Sequence, residues 1–434
     1  MTKVRSEYVC QNCGAKSPSW LGKCPQCGKF STLVETPILE DQGGLTRKEG
    51  LKPLNLASVR AVDSKRISTG SDEFDRVLGG GIVPGSVNLI AGDPGIGKST
   101  LLLQLALKAT STCLYISGEE SLHQIKLRAE RVIKKGAKEN LLLLSETDIE
   151  KIVATIESEK PKLLIIDSIQ TVFWEKLSGT PGSVGQVREC ARIIHEVAKR
   201  ENISTFLVGH VTKEGTVAGP RVLEHLVDVV LYLEGEKYHN FRILRSHKNR
   251  FGTILEIGVF EMAEKGLLDV ANPSALFLSQ RREGVSGSVI LPAIYGRRPI
   301  LAEVQALVAP TAYPLPKRTS QGVDFRRLEL VLAVLANRVR IPVSRFDIFV
   351  NIAGGLKIEE PAADLAIALA IFSAIKGKSL SNSACVFGEV GLLGEVRVVS
   401  EQERRIAEAK KFGLKHVLSP PRVKTLEGAI KFAF

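Results

Sequence analysis

The 434-residue chain has no run of 18 or more apolar residues, so no stretch of it reads as a membrane-spanning helix. Its opening, Met-Thr-Lys-Val-Arg-Ser-Glu-Tyr, lacks the apolar centre of a secretory signal. Together these absences predict a soluble, cytoplasmic protein with no membrane partner. Cysteine is scarce as well, and seven in a chain of this length cannot build a disulfide scaffold. The middle of the chain lacks an excess of either charge, with 27 basic and 28 acidic residues between positions 61 and 279. The net charge of +12 therefore resides at the ends, where residues 1–60 hold 9 basic and 5 acidic and residues 280–434 hold 23 and 14. Two basic flanks around a neutral centre predict a nucleic-acid partner. At ~150 residues per domain the length predicts about three domains.

What is present is led by residues 91–100, Ala-Gly-Asp-Pro-Gly-Ile-Gly-Lys-Ser-Thr, which fit Gly-x4-Gly-Lys-Ser/Thr. Residues 86–91 before it read as a buried strand, and residues 101–109 after it as an apolar helix. A triphosphate presents its charge as oxygens, and backbone N–H groups turning into a helix N-terminus complement them. The stretch Gly92, Asp93, Pro94, Gly95, Ile96, Gly97, Lys98, Ser99, Thr100 is thus the predicted nucleotide cradle. Lys98 would meet the β and γ phosphates and the Ser99 hydroxyl would hold Mg2+, with ATP as the nucleotide. Residues 162–168, Lys-Leu-Leu-Ile-Ile-Asp-Ser, form an apolar strand ending on a carboxylate and fit the strand that pairs with such a loop, with Asp167 as a second Mg2+ group.

Four of the seven cysteines fall in the first 27 residues as Cys10-x2-Cys13 and Cys24-x2-Cys27. Four thiolates at this spacing close a tetrahedron around Zn2+ with no open position, which predicts a structural site supplying most of the folding energy of a small module. Trp20, between the pairs, is either cover for that module's core or a platform for a nucleic-acid base, and cover is the expected role. Glycines and prolines over residues 37–60 read as a linker.

Residues 67–85, Ile-Ser-Thr-Gly-Ser-Asp-Glu-Phe-Asp-Arg-Val-Leu-Gly-Gly-Gly-Ile-Val-Pro-Gly, precede the phosphate loop and look like the entry to a RecA-type ATPase core. Together with the four cysteines and with Lys248-Asn249-Arg250-Phe251-Gly252, they resemble the RadA (Sms) family of bacterial DNA repair proteins. The resemblance implies an α/β fold in which a RecA-like P-loop ATPase core at residues 61–275 follows a zinc module at 1–36. From about residue 276 to 434 the chain resembles the α+β proteolytic domain of Lon, through Val285-Ser-Gly-Ser-Val, Val350-Asn-Ile-Ala-Gly-Gly and Phe387-Gly-Glu-Val-Gly-Leu-Leu-Gly-Glu-Val. The protease dyad is missing: Ala362 stands where the nucleophilic serine should be, and the lysine's counterpart falls near Glu403 or Arg404, neither of which can activate a hydroxyl.

The resemblance also assigns roles. It makes Glu119 the general base for water, with Glu120 as support or helix cap, and His210 a γ-phosphate sensor. It places DNA-binding loops at residues 174–188, read as flexible, and 210–221, where Lys213 and Arg221 are the phosphate contacts. Lys248 and Arg250 resemble the Lys-x-Arg of hexameric helicases, whose cations reach the neighbouring subunit's nucleotide. The basic doublets of the last domain, Arg281-Arg282, Arg297-Arg298, Lys317-Arg318, Arg326-Arg327 and Arg404-Arg405, are expected to meet duplex DNA. The function implied is a DNA-dependent ATPase, a hexameric ring helicase that promotes branch migration in homologous recombination and DNA repair. Its partners would be single-stranded and branched DNA, RecA and further copies of itself. The alternatives are an ATP-dependent protein-remodelling or protease-like ring and a regulatory ATPase with no DNA role.

Overall fold

The computed structural model describes residues 5–12, 15–38, 65–132, 139–210, 222–235, 240–312 and 315–434. The chain divides into two compact units, the first running to Glu234 and adding Asn240–Ile254 and Phe260–Asp269, the second comprising Gly235–His239, Leu255–Val259 and Val270–Phe434.

The first unit is organised by a nine-stranded sheet. Across it lie, in order, Gly266–Asp269, Ile257–Ala263, Phe241–Asn249, Val229–Glu234, Val87–Gly92, Ser204–His210, Leu163–Asp167, Cys113–Ser117 and Leu141–Ser145. The last six of these run parallel, while Phe241–Asn249 returns antiparallel to Val229–Glu234. Strands in a parallel sheet are covered on both faces, and Val87–Gly92, Cys113–Ser117 and Leu163–Asp167 are accordingly buried at every residue. Alternate side chains serve opposite layers. Ile90, Tyr115, Ile165 and Phe206 join the helix Lys98–Lys108, whereas Leu89, Leu114, Leu164 and Leu207 join Ile149–Glu159 and Val184–Arg200.

Ahead of this sheet, Arg5–Cys10 pairs with Lys16–Ser17 and Leu33–Ile38 in a three-stranded ribbon whose buried core is Cys10, Cys24 and Leu33. So small a core cannot fold on apolar area alone. Most of the expected linker at 37–60 lies outside the described residues.

The second unit holds a six-stranded sheet in the order Arg318–Gln321, Phe346–Ile352, Arg298–Pro310, Ser288–Tyr295, Ala384–Val386 and His416–Leu418. The helix Asp364–Lys376 is apolar on every side and buried from Asp364 through Ser373, as a helix at the centre of a core must be. Gly287 is forced by a close approach, since a Cβ there would stand 2.3 Å from the Ala306 carbonyl oxygen.

Candidate active site

The six parallel strands end on one rim, the edge at which open α/β sheets bind ligands. Strand Val87–Gly92 leaves the sheet there and turns into the helix Lys98–Lys108. The turn requires its glycines: Gly92 and Gly97 adopt φ of 155° and 114°, and a Cβ at Gly92 would lie 2.4 Å from the Leu233 carbonyl oxygen. A Cβ added at Gly95 would meet nothing within 4 Å, and Asp93, Pro94 and Gly95 face solvent. Ser99 and Thr100 are half-buried in the first turn of the helix. This shape fits a polyphosphate bound by backbone N–H groups.

Lys98 is 3% exposed, and its Nζ donates to the carbonyl oxygens of Gly92 at 2.8 Å and Asp93 at 3.0 Å. Burial pushes its ammonium below the ordinary lysine value, against the opposing pull of Asp167, Asp93 and Glu119. His210 at the end of the fourth parallel strand from the rim's far side joins the two halves of the site: its Nδ1 lies 3.2 Å from Lys98 Nζ and its Nε2 3.3 Å from Glu119 Oε1. An ammonium has no acceptor, so Nδ1 accepts and Nε2–H donates to Glu119. Glu119 also accepts from the Ser168 hydroxyl at 2.6 Å. Asp167 is buried, and its Oδ2 accepts from the Tyr115 hydroxyl at 2.6 Å. Burial and the adjoining Asp167 carboxylate raise the Tyr115 phenol well above its ordinary value, so it stays a donor.

The structure therefore brings Gly92–Thr100, Glu119, Asp167 and His210 to one place. Glu120 is directed elsewhere, pairing with Arg128 on the helix Leu122–Val132. Lys248 and Arg250 lie at the other end of the sheet, where Lys248 Nζ donates to the Glu224 and Val227 carbonyls at 2.6 and 2.7 Å and Arg250 to Asp228 Oδ1 at 3.2 Å. Lys213 and Arg221 lie outside the described residues. Tyr115, Ser168 and Arg242 escaped sequence reasoning; Arg242 is buried and donates from Nε to the Ile96 carbonyl oxygen at 3.0 Å, bracing the phosphate loop from behind.

One sequence expectation is corrected, and two others gain detail. Trp20 does not cover the ribbon core but is 59% exposed. In the segment after the Asp167 strand, the buried Gln186 side chain stitches a turn, accepting from Trp174 N at 2.8 Å and donating to the Leu177 carbonyl at 2.7 Å. The segment also meets the ribbon, the Ser178 hydroxyl donating to Glu35 Oε1 at 2.6 Å. Finally, the basic doublets of the second unit do not face outward as pairs. In each, one member is exposed (Arg282, Arg297, Lys317, Arg326, Arg404) and the other is drawn inward. Arg405 is wholly buried, donating to the Pro292 carbonyl at 2.7 Å and pairing with Glu360, while Arg327 pairs with Asp364.

In the ribbon, the sulfurs of Cys10, Cys24 and Cys27 lie within 4.8 Å of one another, with Cys10 to Cys27 at 3.7 Å. A tetrahedron with Zn–S bonds of about 2.3 Å has an edge of about 3.8 Å, so the thiolates fit zinc. Cys13, the expected fourth ligand, lies outside the described residues. Ala362, at the position where the sequence expectation looks for a serine, is buried, two residues along from Glu360, which pairs with Arg405.

A phosphate loop, an acidic strand end and a polar trio of lysine, histidine and glutamate on the carboxyl rim of a parallel sheet define a P-loop ATPase. Family models agree: residues 52–216 match "AAA domain", 8–35 match "Rubredoxin metal binding domain" and 320–422 match "Subunit ChlI of Mg-chelatase". Curated relatives named DNA repair protein RadA extend over nearly the whole chain. That of Bacillus subtilis is 47% identical, covering 97% of this chain and 93% of its own. The protein from Listeria monocytogenes is 47% identical over 96% and 92%, and one from Streptococcus pyogenes 49% over 97% and 93%. The chain belongs to the RadA family of DNA repair proteins. Among solved structures, the RadB recombinase overlaps 47% of this chain and 99% of its own at 22% identity, with a TM-score of 0.38.

Proposed function

We propose that the protein is a DNA-dependent ATPase of DNA repair and homologous recombination that works as a hexameric ring, translocating on single-stranded DNA and driving branch migration. One observation carries the ring. Residue 87 begins the strand that ends at Gly92, and Val87 pairs with Asp228 while Gly92 opens the phosphate loop. About five residue rises of ~3.3 Å therefore separate the Arg250 anchor from its own nucleotide site, roughly 16 Å. A guanidinium cannot bridge that span, which supports the reading that Lys248 and Arg250 serve another subunit's triphosphate.

In this reading the backbone N–H groups of residues 92–100 and Lys98 bind the phosphates. Ser99 and Asp167 would hold Mg2+, which when bound neutralises charge on the transferring phosphoryl group. Glu119, fixed by Ser168 and His210, orients and deprotonates the attacking water. His210 touches both the lysine that meets the terminal phosphate and the base, so it reports the phosphate's presence to Glu119. Arg250 and Lys248 add positive charge in trans, an effect of ~10³ to 10⁵ in rate where measured for such cations. The buried Ala362 supports a scaffold role for the second unit, since no nucleophile occupies that position.

The test is ATP turnover with and without single-stranded oligonucleotide, alongside electron micrographs of the same sample. Stimulation by the oligonucleotide, weakening steeply with salt, together with closed rings is expected. Brisk turnover by a permanent monomer indifferent to DNA would end the proposal.

A further inference from the structure

At the end of the sheet away from the phosphate loop, one carboxylate holds two cations, with a third, Lys248, tied to the backbone beside it. Asp228 immediately precedes strand Val229–Glu234, and its side chain is 4% exposed. Its backbone N–H donates to the Val87 carbonyl at 2.8 Å, and its Oδ2 accepts from the Val87 N–H at 3.0 Å and from Lys199 Nζ at 2.6 Å. Oδ1 accepts from Arg250 Nη1 at 3.2 Å, and the Asp228 carbonyl accepts from the Arg250 N–H, also at 3.2 Å. Lys248 is tied to the carbonyl of the preceding residue, Val227, at 2.7 Å.

The consequence for Arg250 is specific. Its side chain is 54% exposed, yet one nitrogen of its fork is pinned to an anion that the central strand of the sheet itself holds in place. A guanidinium carries five donors, so a single contact to Asp228 leaves the remaining edge to face outward. A long exposed arginine otherwise loses rotamer freedom when it meets a ligand, and anchoring it beforehand removes much of that cost. Lys199 shares the carboxylate and offsets its charge, so Asp228 aims Arg250 without neutralising it outright.

We propose that Asp228 is the positioning residue of the trans-acting cation: it fixes the Arg250 guanidinium at the subunit boundary for the neighbour's triphosphate. This rests on the shared-site reading above. Asp228 touches no substrate, and it acts through Arg250.

The experiment uses full-length protein and ATP, with Asp228→Asn, Arg250→Ala, the double variant, and mixtures of each single variant with Lys98→Ala. Asp228→Asn is expected to lower kcat by at least about tenfold while leaving the KM for ATP within about twofold, since the loss falls on turnover and not on nucleotide binding. The double variant should turn over no more slowly than Arg250→Ala, because two residues acting as one unit are not additive. Mixing with Lys98→Ala subunits, whose Arg250 is intact, should restore activity to both single variants. An unchanged kcat, or a double variant well below Arg250→Ala, overturns the proposal. So does an Asp228→Asn protein that is not rescued while Arg250→Ala is, since its own site is then damaged. If neither is rescued, the shared site itself falls and the proposal with it. Should Asn at 228 prevent folding, Asp228→Glu keeps the anion and displaces the guanidinium by one methylene; wild-type kcat in that variant would count against positioning and a reduced kcat at unchanged KM for it.

Discussion

Glu119 and Ser168 meet across the ends of neighbouring strands, the serine hydroxyl donating to Glu119 Oε1 at 2.6 Å. The strand register brings them together by setting Ser117 opposite Asp167, so Glu119, two residues past its strand, and Ser168, one past its own, emerge on the same rim. A carboxylate that must polarise water gains from having its orientation fixed in advance.

Glu119→Gln is therefore expected to bind ATP with near-normal affinity and to lose turnover by at least about 100-fold, within the range general-base catalysis contributes. Ser168→Ala, which frees the carboxylate without removing it, should cost about tenfold in kcat. Fluorescent-nucleotide binding and steady-state hydrolysis separate the two effects; equal losses in both variants would mean that Ser168 does more than orient.

Lys98→Ala should abolish hydrolysis, and the wild-type lysine should reveal itself through protons. Burial holds its ammonium below the ordinary value of 10.5. Between the folded and unfolded values the unfolded chain binds more protons, so this group makes stability rise as pH climbs through that window. Phosphate oxygens reverse the bias by favouring the charged form, and ATP binding at a pH just under the ordinary lysine value should take up protons. Titration calorimetry in buffers of differing ionisation enthalpy measures the uptake, and heats that do not depend on the buffer would contradict it.

Zinc is expected to govern the ribbon and little else. Cys24→Ser should release the metal and unfold the module, whose core is three buried residues, while ATP binding by the sheet survives. Metal analysis and thermal melts distinguish this from a collapse of the whole protein. The contact from Ser178 to Glu35 should be lost in the same variant, raising amide exchange in the turn around Leu177.

Arg405 is buried against Glu360, and removing one member of such a pair strands the other charge. Arg405→Ala should destabilise the second unit by about 3–5 kcal/mol. Ala362→Ser, by contrast, should fold normally and cleave no peptide or casein, because the counterpart of the activating lysine falls near Glu403 or Arg404. Peptidase activity in that variant would show that another base serves.

Much of the ATPase site was legible as sequence. Strand Leu163–Asp167 falls within the expected 162–168 because a buried parallel strand must be apolar throughout and ends where polarity returns. The phosphate loop, Glu119, Asp167 and His210 each sit at a strand end, which pattern locates well. Tyr115, Ser168 and Arg242 were not legible, since their partners are set by which strands are neighbours, and that is a property of topology. Gln186 carries no sequence signal of its own, because the turn it stitches is fixed by contacts across the loop. Trp20 could not be placed because a ribbon this small has hardly any interior to put it in.

The split doublets of the second unit bear on any nucleic acid it meets. Adjacent arginines there behave as rivet and stud, one fastening the domain and the other left on its skin. Counting letters overstates the field a phosphate backbone would feel, and the falloff of affinity with ionic strength should follow the studs alone. A scan that replaces whole doublets would loosen the scaffold while blaming the contact, so Arg282, Arg297, Lys317 and Arg326 are the members to exchange for glutamine, Arg404 being held by Glu401 and the Arg297 carbonyl.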